Sequence, residues 1–357
     1  MRAVAILLVI AFHIGLPGVP GGFVGVDVFF VISGFLITGF VVRARQQGGV
    51  LDLTDFYARR VRRLLPAGWL VLIAAAAVSL ALPPGDRHPS FLSAALSAAG
   101  YVSNLHFINA QFDYFDAEVG RNPLLHTWSL GVEAQFYLLW PLLLGWVAKP
   151  GKRLWIAIAV VLALSLAASI LLTPVNPAAA YFGLPTRAWQ FAAGGLLAAA
   201  PQVIPPRLGH ILGAAGLAVI VATAALLSRQ TLFPGWAAIW PVIGACAVIS
   251  GARGGGPINR LLGSPPFQAI GKVSYGWYLW HWPMLIFAAV LAPGLGLGGR
   301  AAVALAALGV AALSYRFVET PIRRSRALAS RPWLSLALGA VGVAFTMLTV
   351  SLLGMTP

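Results

Sequence analysis

Long apolar stretches alternate with short polar segments along almost the whole chain of 357 residues. A helix that crosses a membrane needs about 20 predominantly apolar residues, and eleven stretches approach or reach that length. They lie at residues 3–16, 24–42, 65–82, 125–147, 154–172, 186–200, 209–227, 235–250, 272–292, 300–319 and 333–353. The pattern predicts an all-α, polytopic membrane bundle of about eleven transmembrane helices.

The distribution of basic residues predicts how the chain is oriented in the membrane. A twelfth stretch, 91–107, is interrupted by serine, asparagine and histidine, and we leave it outside the membrane. The basic clusters at residues 43–63, 149–153, 201–208, 251–272 and 316–331 then all face one side. Because lysine and arginine are enriched in cytoplasmic loops, we expect a cytoplasmic N-terminus and an extracytoplasmic C-terminus.

This topology leaves residues 83–124 as one outward segment that combines carboxylates with aromatic rings. Its members are Asp86, Asp113, Asp116, Glu118, Tyr101, Phe107, Phe112, Tyr114 and Phe115. Such a set suits sugar stacking and hydrogen bonds to hydroxyl groups. It equally suits an aromatic belt at the membrane interface, and both interpretations stay open.

The composition excludes a soluble globular protein. Hydrophobic residues make up 59% of the chain and charged residues 9%, against about 25% charged residues in soluble domains. A net charge of +15 would suggest nucleic acid as partner of a soluble protein. Here membrane topology accounts for the charge, and we expect no nucleic acid. The single cysteine, Cys246, excludes an intrachain disulfide and a cysteine-built metal site, and no metal is expected.

Four ionisable side chains, His13, Asp27, Glu133 and His281, fall inside the apolar stretches. A charge within a membrane costs several kcal/mol and usually marks a proton, ion or catalytic function. The chain has only nine carboxylates, so two of them within the membrane are informative. The pattern predicts catalysis or transport at the centre of the bundle.

Arg2 and His13 have a spacing that joins the membrane surface to its middle. On an α-helix they lie about 20° from one common face and roughly 16 Å apart along the axis. Arg2 is then at the cytoplasmic mouth and His13 near the midplane. The alternative is a flanking topological arginine and a hydrogen-bonded core histidine, and the spacing alone does not decide between them.

Asp27 follows a glycine-rich segment, 21–25, at the outer start of the second apolar stretch. It is a candidate catalytic carboxylate. The alternative is a carboxylate that caps a helix N-terminus, which the helix dipole favours.

His126 and Glu133 lie seven residues apart, nearly on one helical face. Glu133 is then about 10 Å deeper than His126, at roughly the depth of His13. A carboxylate at this depth can orient an imidazole or balance its charge. A structural ion pair between helices is the alternative.

Four arginines in five positions, Arg59, Arg60, Arg62 and Arg63, form a predicted cytoplasmic loop at the start of the third stretch. Guanidinium groups make bidentate contacts to phosphate, so a nucleotide-bearing donor is one expected ligand. Anionic lipid headgroups are the alternative. Near the C-terminus, His281 lies among aromatic residues, which favours a structural histidine, and Pro283 makes a local kink plausible there.

Taken in order, these segments resemble the membrane acyltransferase-3 family, bacterial enzymes that O-acylate surface polysaccharides and some secreted metabolites. The resembling pieces are Arg2 with His13, and residues 25–35, 56–63, 126–137, 275–283 and 314–321, within a match from residue 2 to about 326. The family usually has a second glutamate after Glu133, where this chain has Ala134. That departure weakens any mechanism that needs paired carboxylates there.

The resemblance implies an integral O-acyltransferase of the bacterial cell membrane with acetyl-CoA or another acyl-CoA as donor. Arg2 and the arginines at 59–63 are the implied anion contacts. The implied acceptor is a hydroxyl of an envelope glycan or a glycosylated small molecule on the extracytoplasmic side. The expected catalytic residues are His13, Glu133 and Asp27, and the expected acceptor-binding residues are His126, Trp128 and Ser129. His13 is the implied general base or nucleophile, and the sequence does not choose between these roles.

The resemblance also implies a domain division. We expect an acyltransferase-3 transmembrane domain of ten helices over residues 1–326 and an additional transmembrane helix over 327–357. Many relatives continue into an SGNH-type hydrolase-like domain. The chain has no Gly-Asp-Ser motif, so we expect no such domain within it, and a separate or deleted SGNH-type domain is a candidate partner.

Two other classes of function share part of this pattern. A transporter or flippase for lipid-linked glycan or acyl groups would also hold charges near the midplane, but such proteins commonly show internal repeats and we find none. An inactive scaffold is the third class, for which Ala134 is the only indication.

Overall fold

The computed structural model describes residues 1–47, 51–115, 122–147, 151–200 and 204–354, and within these residues it is helical without strands. The first nine helices are α1 Arg2–His13, α2 Gly25–Gln46, α3 Leu53–Ala81, α4 Phe91–Ala99, α5 Ser103–Asn109, α6 Trp128–Trp146, α7 Lys152–Leu172, α8 Pro177–Phe182 and α9 Leu184–Ala199. The others are α10 Pro206–Leu226, α11 Ile239–Gly254, α12 Pro257–Gly263, α13 Pro265–Leu291, α14 Leu297–Ser314, α15 Thr320–Arg324, α16 Arg326–Ser330 and α17 Pro332–Gly354. Asp116 and Glu118 of the outward segment lie outside the described residues, as do parts of the basic clusters at 149–153 and 201–208.

The prediction of a helical membrane bundle is confirmed. In the described part of the chain, six helical segments are long and apolar enough to cross a membrane, namely Gly22–Gln46, Leu53–Ala81, Lys152–Leu172, Pro206–Leu226, Leu297–Arg324 and Pro332–Leu353. Helices α1 and α11 are shorter apolar helices. Helices α6 and α13 have 19 and 27 residues, but polar side chains such as Glu133 and His281 lower their mean hydropathy. The count of about eleven and the orientation of the termini stay predictions.

The interrupted stretch 91–107 consists of two short helices, α4 and α5. The chain turns between them at Tyr101, which has a φ of 57°. Neither helix has the length that a membrane crossing needs.

The chain divides into two compact units. The first unit comprises Met1–Leu51 and Val132–Ser274, and the second comprises Asp52–Gly131 and Tyr275–Pro357. Two of the three boundaries between the units fall inside α6 and α13, and the third falls just before α3. The domain boundary predicted at residue 326 falls inside the second unit, and the predicted division stays a prediction.

The first unit depends on close helix crossings at glycine. A Cβ on Gly34 of α2 would overlap the carbonyl oxygen of Phe191 on α9, and a Cβ on Gly194 would overlap that of Val31. Small residues let membrane helices approach in this way. The ring of Phe191 fills the adjacent space and stacks on Phe30 with the ring centroids 4.5 Å apart.

The second unit packs α17 along α3. Trp69 of α3 lies directly over Gly342 of α17. Arg62, 5% exposed, donates from one guanidinium nitrogen to the Leu328 carbonyl oxygen and to Ser335 Oγ, each at 2.7 Å. A buried arginine therefore connects α3 to α16 and the start of α17.

A five-residue π-turn, Tyr315–Glu319, separates α14 from α15. It places Glu319 in the interior, 7% exposed, with Oε1 3.1 Å from the position that a Cβ on Gly276 of α13 would occupy. Arg63 and Arg323 are the cations that act electrostatically on this carboxyl. Irregular turns of this kind often occur at functional sites.

Candidate active site

Glu133 is the centre of a hydroxyl cluster in the first unit. Its Oε1 accepts hydrogen bonds from Ser33 Oγ of α2 and from the Tyr137 hydroxyl of α6. The Tyr137 hydroxyl also lies 3.2 Å from Ser33 Oγ. Tyr137 follows Glu133 by one helical turn, which brings both side chains to one face. Ser33 and Tyr137 are buried, whereas Glu133 is half-buried.

The sequence predicted that Glu133 orients or charge-balances His13. The structure joins this carboxylate to two hydroxyl groups instead, so its described partners differ from the predicted one. The catalytic assignment of Glu133 itself stays a prediction, because a carboxylate held by hydroxyl groups is suited to proton transfer as well as to structure.

Asp27 lies in a buried polar cluster of its own. Its Oδ1 accepts from an Arg187 guanidinium nitrogen at 3.0 Å and from Gln190 Nε2 at 2.6 Å. Asp27 and Arg187 are each 1% exposed. The Arg187 guanidinium also donates to the Tyr181 carbonyl oxygen at 2.9 Å and lies over the rings of Tyr181 and Phe233. These contacts favour a structural ion pair. The sequence analysis had given a helix cap as the alternative to catalysis, and the ion pair takes the place of that cap.

Arg2 and His13 are the first and last residues of α1. The stretch between them is continuous helix, as their spacing required. The His13 ring lies 5.3 Å from the ring of Phe12, which in turn packs edge-on against Phe23 and beneath the Arg229 guanidinium. His13 is half-buried. The structure therefore places this histidine at the end of a helix beside an aromatic cluster.

The predicted loop of arginines is wrong, because all four lie within α3. The helix begins at Leu53, where the Asp52 side chain caps it by accepting from the Asp55 backbone N–H at 3.0 Å. Pro66 lies inside the helix and does not end it. Side-chain capping of this kind stabilises a helix start, so the helix begins before the arginines.

The four arginines have different surroundings. Arg59 forms an ion pair with Asp55, one turn earlier, and Arg60 lies over the Phe56 ring at 5.3 Å. Arg59, Arg60 and Arg63 are half-buried. Arg62 donates its hydrogen bonds to the carbonyl and hydroxyl groups of α16 and α17 described above. Arg62 therefore leaves the predicted anion site, and that site stays a prediction for the other three.

His126 belongs to a buried cluster of the second unit. It lies in a 3-10 turn just before α6, and its Nε2 donates to the Leu279 carbonyl oxygen at 3.1 Å. The Tyr278 hydroxyl is 2.8 Å from the His126 carbonyl oxygen and 2.7 Å from Ser129 Oγ. In the described part of the chain, His126 Nδ1 has no hydrogen-bond partner. Trp128 is 1% exposed and contacts the Tyr114 ring, so the predicted acceptor-binding residues His126, Trp128 and Ser129 are all buried.

His281 joins the same cluster. It is fully buried, its Nδ1 lies 3.0 Å from the Trp277 carbonyl oxygen, and its ring is edge-on to that of His126 with the centroids 6.0 Å apart. The Tyr278 ring lies 5.5 Å away. These surroundings are those of an aromatic-packed histidine, as the sequence favoured.

A small, mainly apolar cavity lies where the outward segment packs against α3 and α17 of the second unit. A cavity of about 130 Å³ is lined by Ser79, Arg87, His88, Phe91 and their neighbours. Arg87 donates to the carbonyl oxygens of Leu80 and Leu82 and so closes the end of α3. Burial lowers the pKa of His88 below its ordinary value, so this imidazole is neutral at neutral pH.

Among the described residues no cluster suited to a metal ion is found.

Ser33, Tyr137, Arg187 and Gln190 are the polar residues that the sequence analysis missed. Arg187 and Gln190 lie three residues apart, and a spacing of three places two side chains on one helical face. Tyr137 has the same relation to Glu133 at a spacing of four. These spacings were the available signals, whereas no local signal connects Ser33 with a carboxylate 100 residues later.

Residues 1–351 match the acyltransferase domain family. The chain therefore belongs to this family of acyltransferases, as the sequence resemblance indicated, and with its apolar helices it is a membrane protein. The match favours an acyltransferase over a transporter.

Among its relatives is the peptidoglycan O-acetyltransferase OatA of Listeria monocytogenes serovar 1/2a (strain ATCC BAA-679 / EGD-e), 33% identical over 346 residues that cover 91% of this chain and 55% of the relative. The putative peptidoglycan O-acetyltransferase YrhL of Bacillus subtilis (strain 168) is 32% identical over 90% of this chain and 54% of the relative. The O-acetyltransferase OatA of Staphylococcus aureus (strain NCTC 8325 / PS 47) is 30% identical, with coverages of 91% and 56%. The chain spans about half the length of these relatives. No solved structure matches the chain.

Proposed function

We propose that this protein is an integral membrane O-acetyltransferase that transfers an acetyl group to a hydroxyl of peptidoglycan or a related envelope glycan. The observation that carries the proposal is the family match over residues 1–351. The names of the relatives support an acetyl group and a glycan acceptor. The bacterial cell membrane, crossed several times with the acceptor on the extracytoplasmic side, is the proposed location.

Acetyl-CoA is the proposed donor. Arg59, Arg60 and Arg63 present three half-buried guanidinium groups on one helix, and Arg2 lies at the start of another. Guanidinium groups fit the phosphate groups of a nucleotide-bearing donor. Arg62 does not enter the proposal, because its guanidinium binds the backbone and hydroxyl groups of α16 and α17.

His13 is the proposed reactive imidazole, as general base on the acceptor hydroxyl or as carrier of the acyl group. Glu133 is the second proposed catalytic residue. Asp27, which is held by Arg187, is the third. His126, Trp128 and Ser129 are proposed to bind the acceptor. In the net reaction the acceptor oxygen bonds to the acyl carbon, the donor's carbon–sulfur bond breaks, and the hydroxyl proton passes to the departing thiolate.

The test is acetyl transfer by the purified full chain in lipid vesicles. Acetyl-CoA is supplied with and without soluble peptidoglycan fragments, and both free CoA and base-labile acetyl ester on the glycan are measured. We expect CoA release that depends on glycan and that is lost in His13→Ala. Acetyl ester formed at the wild-type rate by a folded His13→Ala variant would remove His13 from the mechanism, and no ester from folded wild-type protein would overturn the proposed function.

A further inference from the structure

The Ser33, Glu133 and Tyr137 cluster of α2 and α6 has the arrangement of an activated nucleophile. We propose that Ser33 Oγ carries the acyl group as a covalent ester and that Glu133 is the base that activates it. The inference rests on the proposed function and adds an intermediate to it. The covalent step is thereby assigned to Ser33, a residue for which the sequence analysis predicted no role.

The hydrogen bonds fix the direction of proton transfer. Glu133 Oε1 has two hydroxyl donors, Ser33 Oγ and the Tyr137 hydroxyl. Because an ionised carboxylate can only accept, the Ser33 proton points at Glu133. The Tyr137 hydroxyl lies 3.2 Å from Ser33 Oγ and within reach of the same carboxylate oxygen. A nucleophile, an adjacent base and a third group that orients them are the general features of covalent catalysis.

The charge at Glu133 argues for a chemical role. Among the described residues this carboxylate is joined by hydroxyl groups and by no cation within ion-pair distance, whereas Asp27, on the same helix as Ser33, has Arg187. A carboxylate within an apolar helix pair is costly. A structural contact between α2 and α6 needs no such charge, because Trp140 Nε1 of α6 donates to Thr38 Oγ1 of α2 at 2.8 Å.

The burial pattern agrees with a reactive centre. Ser33 is 4% exposed and Tyr137 is 7% exposed, while Glu133 is half-buried. The carboxylate is therefore the most exposed member of the cluster, and the serine is buried. Exclusion of water from the serine protects an ester from hydrolysis.

The chemistry has two balanced steps. In the first, Ser33 Oγ bonds to the acyl carbon, the donor's carbon–sulfur bond breaks, and the serine proton passes through Glu133 to the thiolate. In the second, the acceptor oxygen bonds to the acyl carbon, the bond to Ser33 Oγ breaks, and the acceptor proton, removed by the proposed base His13, restores the Ser33 hydroxyl. No further reactant is needed.

The experiment incubates the wild-type full chain in vesicles with acetyl-labelled acetyl-CoA and no acceptor, followed by acid quench and peptide mass spectrometry. A parallel incubation with unlabelled acetyl-CoA and labelled free CoA measures exchange. We expect an acetyl ester on Ser33, entry of the CoA label into acetyl-CoA, and transfer of the bound acetyl label when peptidoglycan fragments are added. Ser33→Ala is expected to lose the label and the exchange. Glu133→Gln, which keeps an acceptor oxygen, is expected to slow exchange by about 10²–10⁴-fold.

Thr38→Ala is the matched control, because it removes a buried hydroxyl contact between the same two helices. We expect it to keep both label and exchange, whereas a merely structural role for Ser33 predicts similar behaviour of the two alanine variants. A Ser33→Cys variant in a Cys246→Ala background has one cysteine, and its label is expected to become a hydroxylamine-sensitive thioester.

Label on a histidine or on Tyr137 would overturn the assignment to Ser33. Turnover by wild-type protein without any label or exchange would overturn the covalent step while leaving the proposed function intact. Wild-type protein that is folded but transfers no acetyl group to glycan would overturn the proposed function, and the inference with it.

Discussion

Two carboxylates of the first unit lie within membrane helices and have different kinds of partner. Asp27 has a guanidinium and an amide as partners, and all three side chains are almost fully buried. Glu133 has hydroxyl groups and remains half-buried. The same chemical group thus has a cation as partner at one position and, among the described residues, only hydroxyl groups at the other.

Arg187→Met is expected to destabilise the protein strongly, because it leaves the Asp27 charge buried with only Gln190 as a described partner. Loss of one member of a buried pair typically costs about 3–5 kcal/mol. We expect a clear fall in the thermal unfolding temperature in detergent. The double variant Asp27→Leu with Arg187→Met removes both charges and should recover most of that loss.

A double variant no more stable than Arg187→Met alone would contradict the ion-pair account. The double variant also separates structure from catalysis at Asp27. Full stability with lost acetyl transfer would support the catalytic assignment that the sequence suggested, whereas retained transfer would limit Asp27 to positioning.

The residues found and missed by the sequence analysis differ in a physical way. His13, Asp27 and Glu133 stand out because a charge in an apolar stretch is conspicuous by itself. Ser33 and Tyr137 do not, because hydroxyl groups are common in membrane helices and their role depends on which helix lies opposite. Periodicity gives the face on which a side chain lies but not the neighbour of that face.

At the scale of the elements, glycine determines how closely helices pack. Gly34 of α2 faces the backbone of α9, whereas a Cβ on Gly39 of the same helix would meet only the flexible end of Arg43 and the Ala198 side chain.

Gly34→Ala is therefore expected to cost at least about 1–3 kcal/mol, the usual range for overpacking, and Gly39→Ala much less. The measurement is the unfolding temperature of both variants by fluorescence-detected size exclusion. Equal stability of the two variants would show that the backbones of α2 and α9 are not in close contact.

A second prediction concerns Arg62 and the attachment of α17 to α3. Arg62→Ala leaves the Leu328 carbonyl oxygen and Ser335 Oγ without their buried guanidinium donor, at a cost of about 1–3 kcal/mol. We expect α17 to detach more readily and trypsin to cut faster at the arginines between 323 and 331. Arg59→Ala, whose ion pair with Asp55 is partly exposed, serves as the control, since such surface pairs contribute little. Unchanged cleavage in Arg62→Ala would argue against the anchor.

The arginine block also shows why an element boundary was predicted incorrectly. Four arginines lower the hydropathy of residues 59–63, so hydropathy alone places the start of the apolar stretch after them. The signal for an earlier start was Asp52 with Asp55 three residues later, a carboxylate cap and an acidic first turn. Capping residues identify a helix start that hydropathy misses.

At the scale of the whole molecule, the apolar pattern was sufficient to predict the class of fold. Each long helix of the structure overlaps one of the predicted stretches, because the bilayer imposes the same length on every crossing. The pairing of helices into two units was not predictable, since apolar faces towards lipid and towards protein have similar composition.

The topology prediction is tested by reporter fusions. Alkaline phosphatase fused after Gly354 is expected to be active and green fluorescent protein at that site to be dark, because the C-terminus is predicted outside. Fusions after Ala200 should give the opposite result, because the basic cluster at 201–208 is predicted to face the cytoplasm. The reverse pattern at either site would overturn the eleven-helix arrangement.

The π-turn at Tyr315–Glu319 has a consequence for how the chain tolerates changes in length. A π-turn holds one residue more than the regular helix around it, so this segment has the form of a single-residue insertion retained within a helix. Deleting one residue there would restore regular winding, rotate everything after it by about 100° and turn Glu319 away from Gly276. Substitutions at the neighbouring positions would leave that register unchanged. The placement of Glu319 therefore depends on how many residues this segment contains more than on which side chains most of them carry.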